Sequence, residues 1–226
     1  MNIATVVQEQ RRYMQRVFSW MFVGLLMTAV VSFLLSRNNN VISYFSEHPY
    51  GFFGILIVEL VMVFYLSARI HKLSVTAATL LFFIYAALNG ITFSLLFSIY
   101  TAESIGTTFF ITAGMFGAVS VYGYVTKRDL SRMGSILFMA LIGLLLATLI
   151  NIWLQSSGLY WIVTYAGVLI FTGLTAYDVQ KIKEGNIIGN EGTVDDTKEA
   201  IIGALVLYLD FINLFLYLLR IFGNRD

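Results

Sequence analysis

The sequence predicts an all-α integral membrane protein with seven transmembrane helices. Three observations carry that prediction. Of 226 residues, 58% are hydrophobic and only 12% are charged, against roughly 25% charged in soluble domains. Mean hydropathy is +0.81. The apolar residues gather into seven runs near the length needed to cross a hydrocarbon core, about 20 residues. A net charge of +1 leaves no basic field for nucleic acid. The absence of cysteine excludes disulfides, thiolate catalysis and cysteine-based metal sites.

The runs are taken in order. Residues 17–36 form an apolar stretch too long for a signal-peptide core and without a small-residue cleavage site, so they read as a retained helix. Residues 1–16 then read as a short cytoplasmic tail, and 17–226 as one seven-helix membrane domain. The second run, 52–68, is short and follows Pro49, the only proline. The third, 75–100, holds Asn89-Gly90, a place for a kink. The fourth and fifth are 106–125 and 134–154, the latter containing Asn151. The sixth, 161–179, contains Asp178, and the seventh, 200–222, contains Asp210. Between these two, residues 181–199 form the one long polar loop, expected to be mobile. Its acids, Glu184, Glu191, Asp195, Asp196 and Glu199, lack an EF-hand spacing and read as a solvated surface.

Charge predicts orientation. Arg11, Arg12, Arg16, Arg69, Lys72, Lys127, Arg128, Arg132, Lys181, Lys183 and Lys198 fall on one side of this arrangement, and Arg37, Arg220 and Arg225 on the other. The positive-inside rule puts the N-terminus in the cytoplasm and the C-terminus outside.

Three carboxylates lie inside the predicted spans: Glu59, Asp178 and Asp210. An acid near a bilayer centre costs about 2.5–3.5 kcal/mol on insertion scales and commonly marks an ion or proton route. In the last span Gly203, Asp210, Asn213, Tyr217 and Arg220 recur at helical spacing and form one polar stripe, which must face other helices or a wet cavity. Asp178 and Asp210 both lie in the cytoplasmic half of adjacent spans, where they can meet. Such a pair shares a proton and titrates as a unit, which makes it a pH sensor. The competing reading pairs Asp178 with Lys181 or Lys183. Glu59 stands near the middle of its helix as a candidate cation ligand. Arg69 closes that helix at the cytoplasmic end, where it reads either as an ordinary positive-inside anchor or as a guanidinium latch on two carboxylate oxygens. Asn89 and Asn151 read as packing groups that could add oxygen ligands. The two histidines, His48 and His71, have no zinc-site spacing, and no P-loop or HExxH occurs.

The segments LYLDFINLFLYLLRIFG (207–223), TGLTAYDVQKIK (172–183) and AGMFGAVSVYGYVTKRDLSRMG (113–134) resemble the transmembrane Bax inhibitor motif family, or Bax inhibitor-1-like proteins, in its bacterial branch. The resemblance implies a seven-helix fold with the last helix central and wrapped by the other six. It implies a pH-gated calcium leak in a bacterial cytoplasmic (inner) membrane. An aspartate pair as sensor falls on Asp178 and Asp210, a pathway glutamate on Glu59, and a basic latch near Arg69, which aligns least cleanly. Asn213 lies in the same last-helix motif and joins the pathway.

Three functions follow from these residues. The first is a calcium leak with protons as regulator. Glu59, Asp178 and Asp210 would then bind calcium in passing, as a transported ion, with no resident cofactor. The second is a regulator that binds a membrane-anchored protease, as the resemblance implies for some bacterial members. The short tail argues against it. The third is an intramembrane aspartyl protease. That class carries a Gly-x-Gly-Asp motif, whereas this chain reads Leu207-Tyr208-Leu209-Asp210, so a non-enzymatic role is expected.

Overall fold

The computed structural model describes residues 3–224, and every element in it is helical. The α-helices are α1 (Ile3–Ser36), α2 (Asn39–Glu47), α3 (Pro49–Arg69), α4 (Val75–Ser94), α5 (Ala102–Val125), α6 (Ser131–Leu154), α7 (Ser157–Glu184) and α8 (Val194–Phe222). Short 3-10 turns follow α3 and α4, at Ile70–Lys72 and Leu95–Ser98. All but α2 are long and apolar enough to span a membrane. The chain is a multi-pass membrane protein of the all-α class.

The helix ends differ from the apolar runs. α1 begins at Ile3, so residues 3–16 are its first turns rather than a separate tail. Its 34 residues rise about 51 Å at 1.5 Å each, well beyond a hydrocarbon core of about 30 Å. The surplus carries Arg11, Arg12 and Arg16. α7 and α8 likewise run into the polar segment, reducing the loop between them to residues 185–193. α2 has no counterpart among the predicted spans. Asn38 starts it by accepting the Asn40 N–H at 3.0 Å.

The chain forms two compact units. Unit one comprises residues 3–101 and 186–208, and unit two residues 102–185 and 209–224. α8 is shared: its first half belongs to unit one, its second to unit two. Arg225 and Asp226 lie outside the described residues.

In unit one, α4 packs against α1 and α3. Tyr208 is fully buried at its centre. The Thr28 hydroxyl donates to the Ala86 carbonyl at 2.8 Å, so at 2.7 Å it accepts from the Tyr208 hydroxyl. Phe82 and Tyr85 meet the Tyr208 ring edge-on at 6.2 and 5.9 Å. In unit two, α7 packs against α5 and α6. Phe211 packs on Phe109 and Phe116 at 5.3 and 5.4 Å, and Tyr217 stacks on Phe171 at 5.8 Å. Tyr217 also lies across Gly167, where an added Cβ would come within 2.6 Å of the ring. Of the spanning helices α8 is the most enclosed: 67% of its apolar window is buried, against 11% for α3 and α6.

Candidate functional site

Unit two brings Asp178 and Asp210 together. Their carboxyl groups lie side by side, close enough to interact directly. Two ionised carboxylates can only accept, so a direct hydrogen bond between them requires a proton on one. Asp210 is buried, and its Oδ2 has no hydrogen-bond partner among the described residues.

Backbone packing sets the position of Asp178. A Cβ on Gly123 of α5 would strike the carbonyl oxygen of Ala176, two residues before Asp178, so only glycine allows this approach. One turn further, Gln180 clamps the turn between α5 and α6. Its Oε1 accepts the Leu130 N–H and its Nε2 donates to the Arg128 carbonyl, both at 2.8 Å. Lys183 Nζ donates to the Tyr124 carbonyl at 2.8 Å. Sequence reasoning missed Gln180. Its only sequence signal was a polar residue just beyond AYD. Of the two lysines proposed as alternative partners, Lys183 is committed to Tyr124. Lys181 interacts electrostatically with Asp178 while lying over the Tyr177 ring at 5.5 Å.

Asn213 lies on the Asp210 face of α8, but its Nδ2 donates to the Leu209 carbonyl at 2.8 Å within the same helix. Asn151 Oδ1 accepts the Ser156 N–H at 3.0 Å and closes the end of α6.

Glu59 belongs to unit one. It is 9% exposed, between the outward-facing Val58 and Leu60. Thr92 Oγ1 lies 3.2 Å from its Oε1 and 2.9 Å from the Asn89 carbonyl. Asn89 Nδ2 donates to the Tyr85 carbonyl at 3.0 Å. Arg69, also in unit one, is exposed and forms no ion pair among the described residues.

The polar segment after α7 is not the free loop expected from its composition. Gly189 N–H donates to Glu9 at 2.7 Å, Arg12 pairs with Glu191 at 3.2 Å, and Arg16 pairs with Asp196 at 2.8 Å. The first turns of α1 supply the basic partners, which is why the loop is held. Among the described residues no three His, Cys, Asp or Glu side chains converge as a metal cluster.

Residues 10–226 match the family described as inhibitor of apoptosis-promoting Bax1. The chain belongs to the Bax inhibitor-1 family. The inner membrane protein YbhL of Escherichia coli K12 is 54% identical to it over 94% of this chain and 92% of its own length. An uncharacterized protein of Borreliella burgdorferi is 43% identical, covering 96% of this chain and 93% of its own. One from Deinococcus radiodurans is 40% identical, with 97% and 94% covered. As a Bax inhibitor-1 family member the chain has both Asp178 and Asp210 within the matched residues.

Proposed function

We propose that the chain is a pH-sensitive calcium leak channel, with Asp178 and Asp210 as its proton-sharing sensor. The observation that supports this reading most is the close approach of two carboxyl groups on helices long and apolar enough to span a membrane. Loss of the shared proton leaves two like charges in contact. At 4 Å and an effective dielectric of about 20 their repulsion is about 4 kcal/mol. Gain of a second proton removes the negative charge that holds nearby cations such as Lys181. Either change alters the tie between α7 and α8.

The dyad suits a passing cation better than a resident one. Calcium takes about six to eight oxygens, and two carboxylates offer fewer, so water completes the shell. Asp210 Oδ2, buried without a partner, is the oxygen such an ion would engage. Glu59 with Thr92 is proposed as a second cation contact, and Asn213 as a group of the same pathway. Arg69 keeps the latch role only as a proposal, since it is exposed in unit one. The E. coli relative's description as an inner membrane protein supports placement in a bacterial inner membrane. The distribution of Lys and Arg supports a cytoplasmic N-terminus.

The test is calcium influx into liposomes that hold the purified protein and a trapped calcium indicator, across a pH series. A leak that changes with pH is expected. No leak at any pH overturns the reading and favours a regulator that binds a membrane protein.

A further inference from the structure

At the end of unit two where α6 turns into α7, a cavity of about 170 Å³ is lined by Thr148, Asn151, Ile152, Tyr160, Val163 and Arg220. Its lining includes two N–H donors, the Arg220 guanidinium and the Asn151 amide. The Arg220 guanidinium lies over the rings of Tyr217 and Tyr160, at 5.1 and 5.6 Å, and forms no ion pair among the described residues. Because the Asn151 carbonyl oxygen accepts the Ser156 N–H, the amide orientation is fixed and Nδ2 is left to donate. Thr148 gives its proton to the Leu144 carbonyl at 2.8 Å. Among the described residues no carboxylate lines the space.

Two N–H donors, on Arg220 and Asn151, around a guanidinium with no ion-pair partner among the described residues, favour an oxyanion. A guanidinium binds phosphate through paired N–H bonds. The cavity is smaller than the roughly 300–1,000 Å³ of small-molecule pockets, so it has room for a headgroup-sized anion and little more. Its surroundings fix its depth. Trp153 is 90% exposed beside it, and Trp161 stacks on Tyr165 at 5.7 Å on the next helix. Tryptophan and tyrosine collect at the membrane interface, the level of phospholipid phosphates.

We infer that this cavity binds a phosphate-class oxyanion, with Arg220 and Asn151 Nδ2 donating to its oxygens. A phospholipid headgroup and free phosphate share that chemistry. The site is separate from the leak reading and does not depend on it.

The experiment uses the purified full chain in detergent, with short-chain phosphatidylglycerol and inorganic phosphate as probes and native mass spectrometry and calorimetry as readouts. Asn151→Asp keeps the acceptor for Ser156 N–H while placing a negative charge against the anion. Arg220→Gln removes the guanidinium. The wild type is expected to hold one anion per chain, and each variant to bind about tenfold more weakly or worse. Should Arg220→Gln fail to fold, Asn151→Asp decides alone, its unliganded melting temperature serving as control. Retention of phosphatidylglycerol against millimolar phosphate assigns the site to lipid, and displacement assigns it to free phosphate. Wild-type affinity in Asn151→Asp, or no binding of either probe by the wild type, overturns the inference.

Discussion

Arg16 and Asp196, 180 positions apart in sequence, are joined by an ion pair: Nη2 of the arginine lies 2.8 Å from Oδ2 and 3.0 Å from Oδ1. The Asp196 side chain is 1% exposed. The same carboxylate accepts the Gly192 N–H at 2.8 Å, while Thr193 Oγ1 accepts the Asp196 N–H at 3.2 Å, so the pair also caps the start of α8. Removing Arg16 strands a buried carboxylate. Arg16→Ala should cost about 3 kcal/mol, the low end for a broken buried pair because Arg16 is partly exposed. The melting temperature should fall, and the amides of Gly189 and Gly192 should exchange faster in deuterium. Unchanged exchange at those two amides would show that the loop is held by something other than this pair. Arg16→Lys keeps the charge and should lose less.

Asp129 provides a pH test outside the membrane spans. It is fully exposed in the turn between α5 and α6, and its Oδ1 accepts the Ser131 N–H at 2.8 Å. Hydrogen bonds from Ser131 hold its carboxyl below the ordinary carboxylate range. The folded state therefore favours the ionised form. This contribution is present above the unfolded pKa, near 3.9, and disappears as pH falls through the lower folded value. Asp129→Asn should melt below the wild type at neutral pH and converge on it in strong acid. A melting gap that stays constant down the acid series would rule out the carboxylate as its source.

Hydropathy made the membrane spans legible because seven apolar runs have few other uses. It read helix ends poorly for a physical reason. The turns carrying Arg11, Arg12, Arg16, Asp195 and Asp196 are polar and leave the hydrocarbon, yet they are helical, and the Arg16–Asp196 ion pair joins the first turns of α1 to the first turn of α8. The short α2 escaped because it lies outside any span. At the candidate site, the isolation of Asp178 and Asp210 among apolar residues pointed to them, and the structure brings them together. The spacing of Asn213 placed it on the right face but could not reveal that its amide turns back to Leu209. Gln180 and Gly123 act through contacts with residues some fifty positions away, and no local pattern records such contacts.

Glu59 is the sole acid of α3 and is turned inward against Thr92 rather than outward with Val58 and Leu60. If it contacts the passing cation, Glu59→Gln should reduce calcium flux several-fold. The amide keeps the size and the Thr92 hydrogen bond, so the melting temperature should hold. Thr92→Val should have a smaller effect on flux, since it removes a neighbour of the ligand and not the ligand. Full flux in Glu59→Gln at unchanged protein density in the liposomes would remove Glu59 from the route.

The decisive prediction concerns the pair on α7 and α8. Asp178→Asn and Asp210→Asn each leave one titrating group where there were two. An amide can still donate to or accept from the remaining carboxyl, so the contact between the helices should survive. What is lost is the shared proton, and with it the like-charge repulsion of about 4 kcal/mol that deprotonation would bring at close range. Each single variant should therefore flatten the pH profile of the leak. The double variant should add little to either, because contacting groups that act as one unit are not additive. Asp178 also interacts with Lys181, so Lys181→Met serves as a control. It should shift the profile along the pH axis and leave its steepness, since it removes a neighbouring charge and keeps both carboxyls. Wild-type steepness in both asparagine variants would mean that protons act elsewhere on the chain. Steepness lost in one variant and kept in the other would assign sensing to a single aspartate and remove the shared proton from the mechanism.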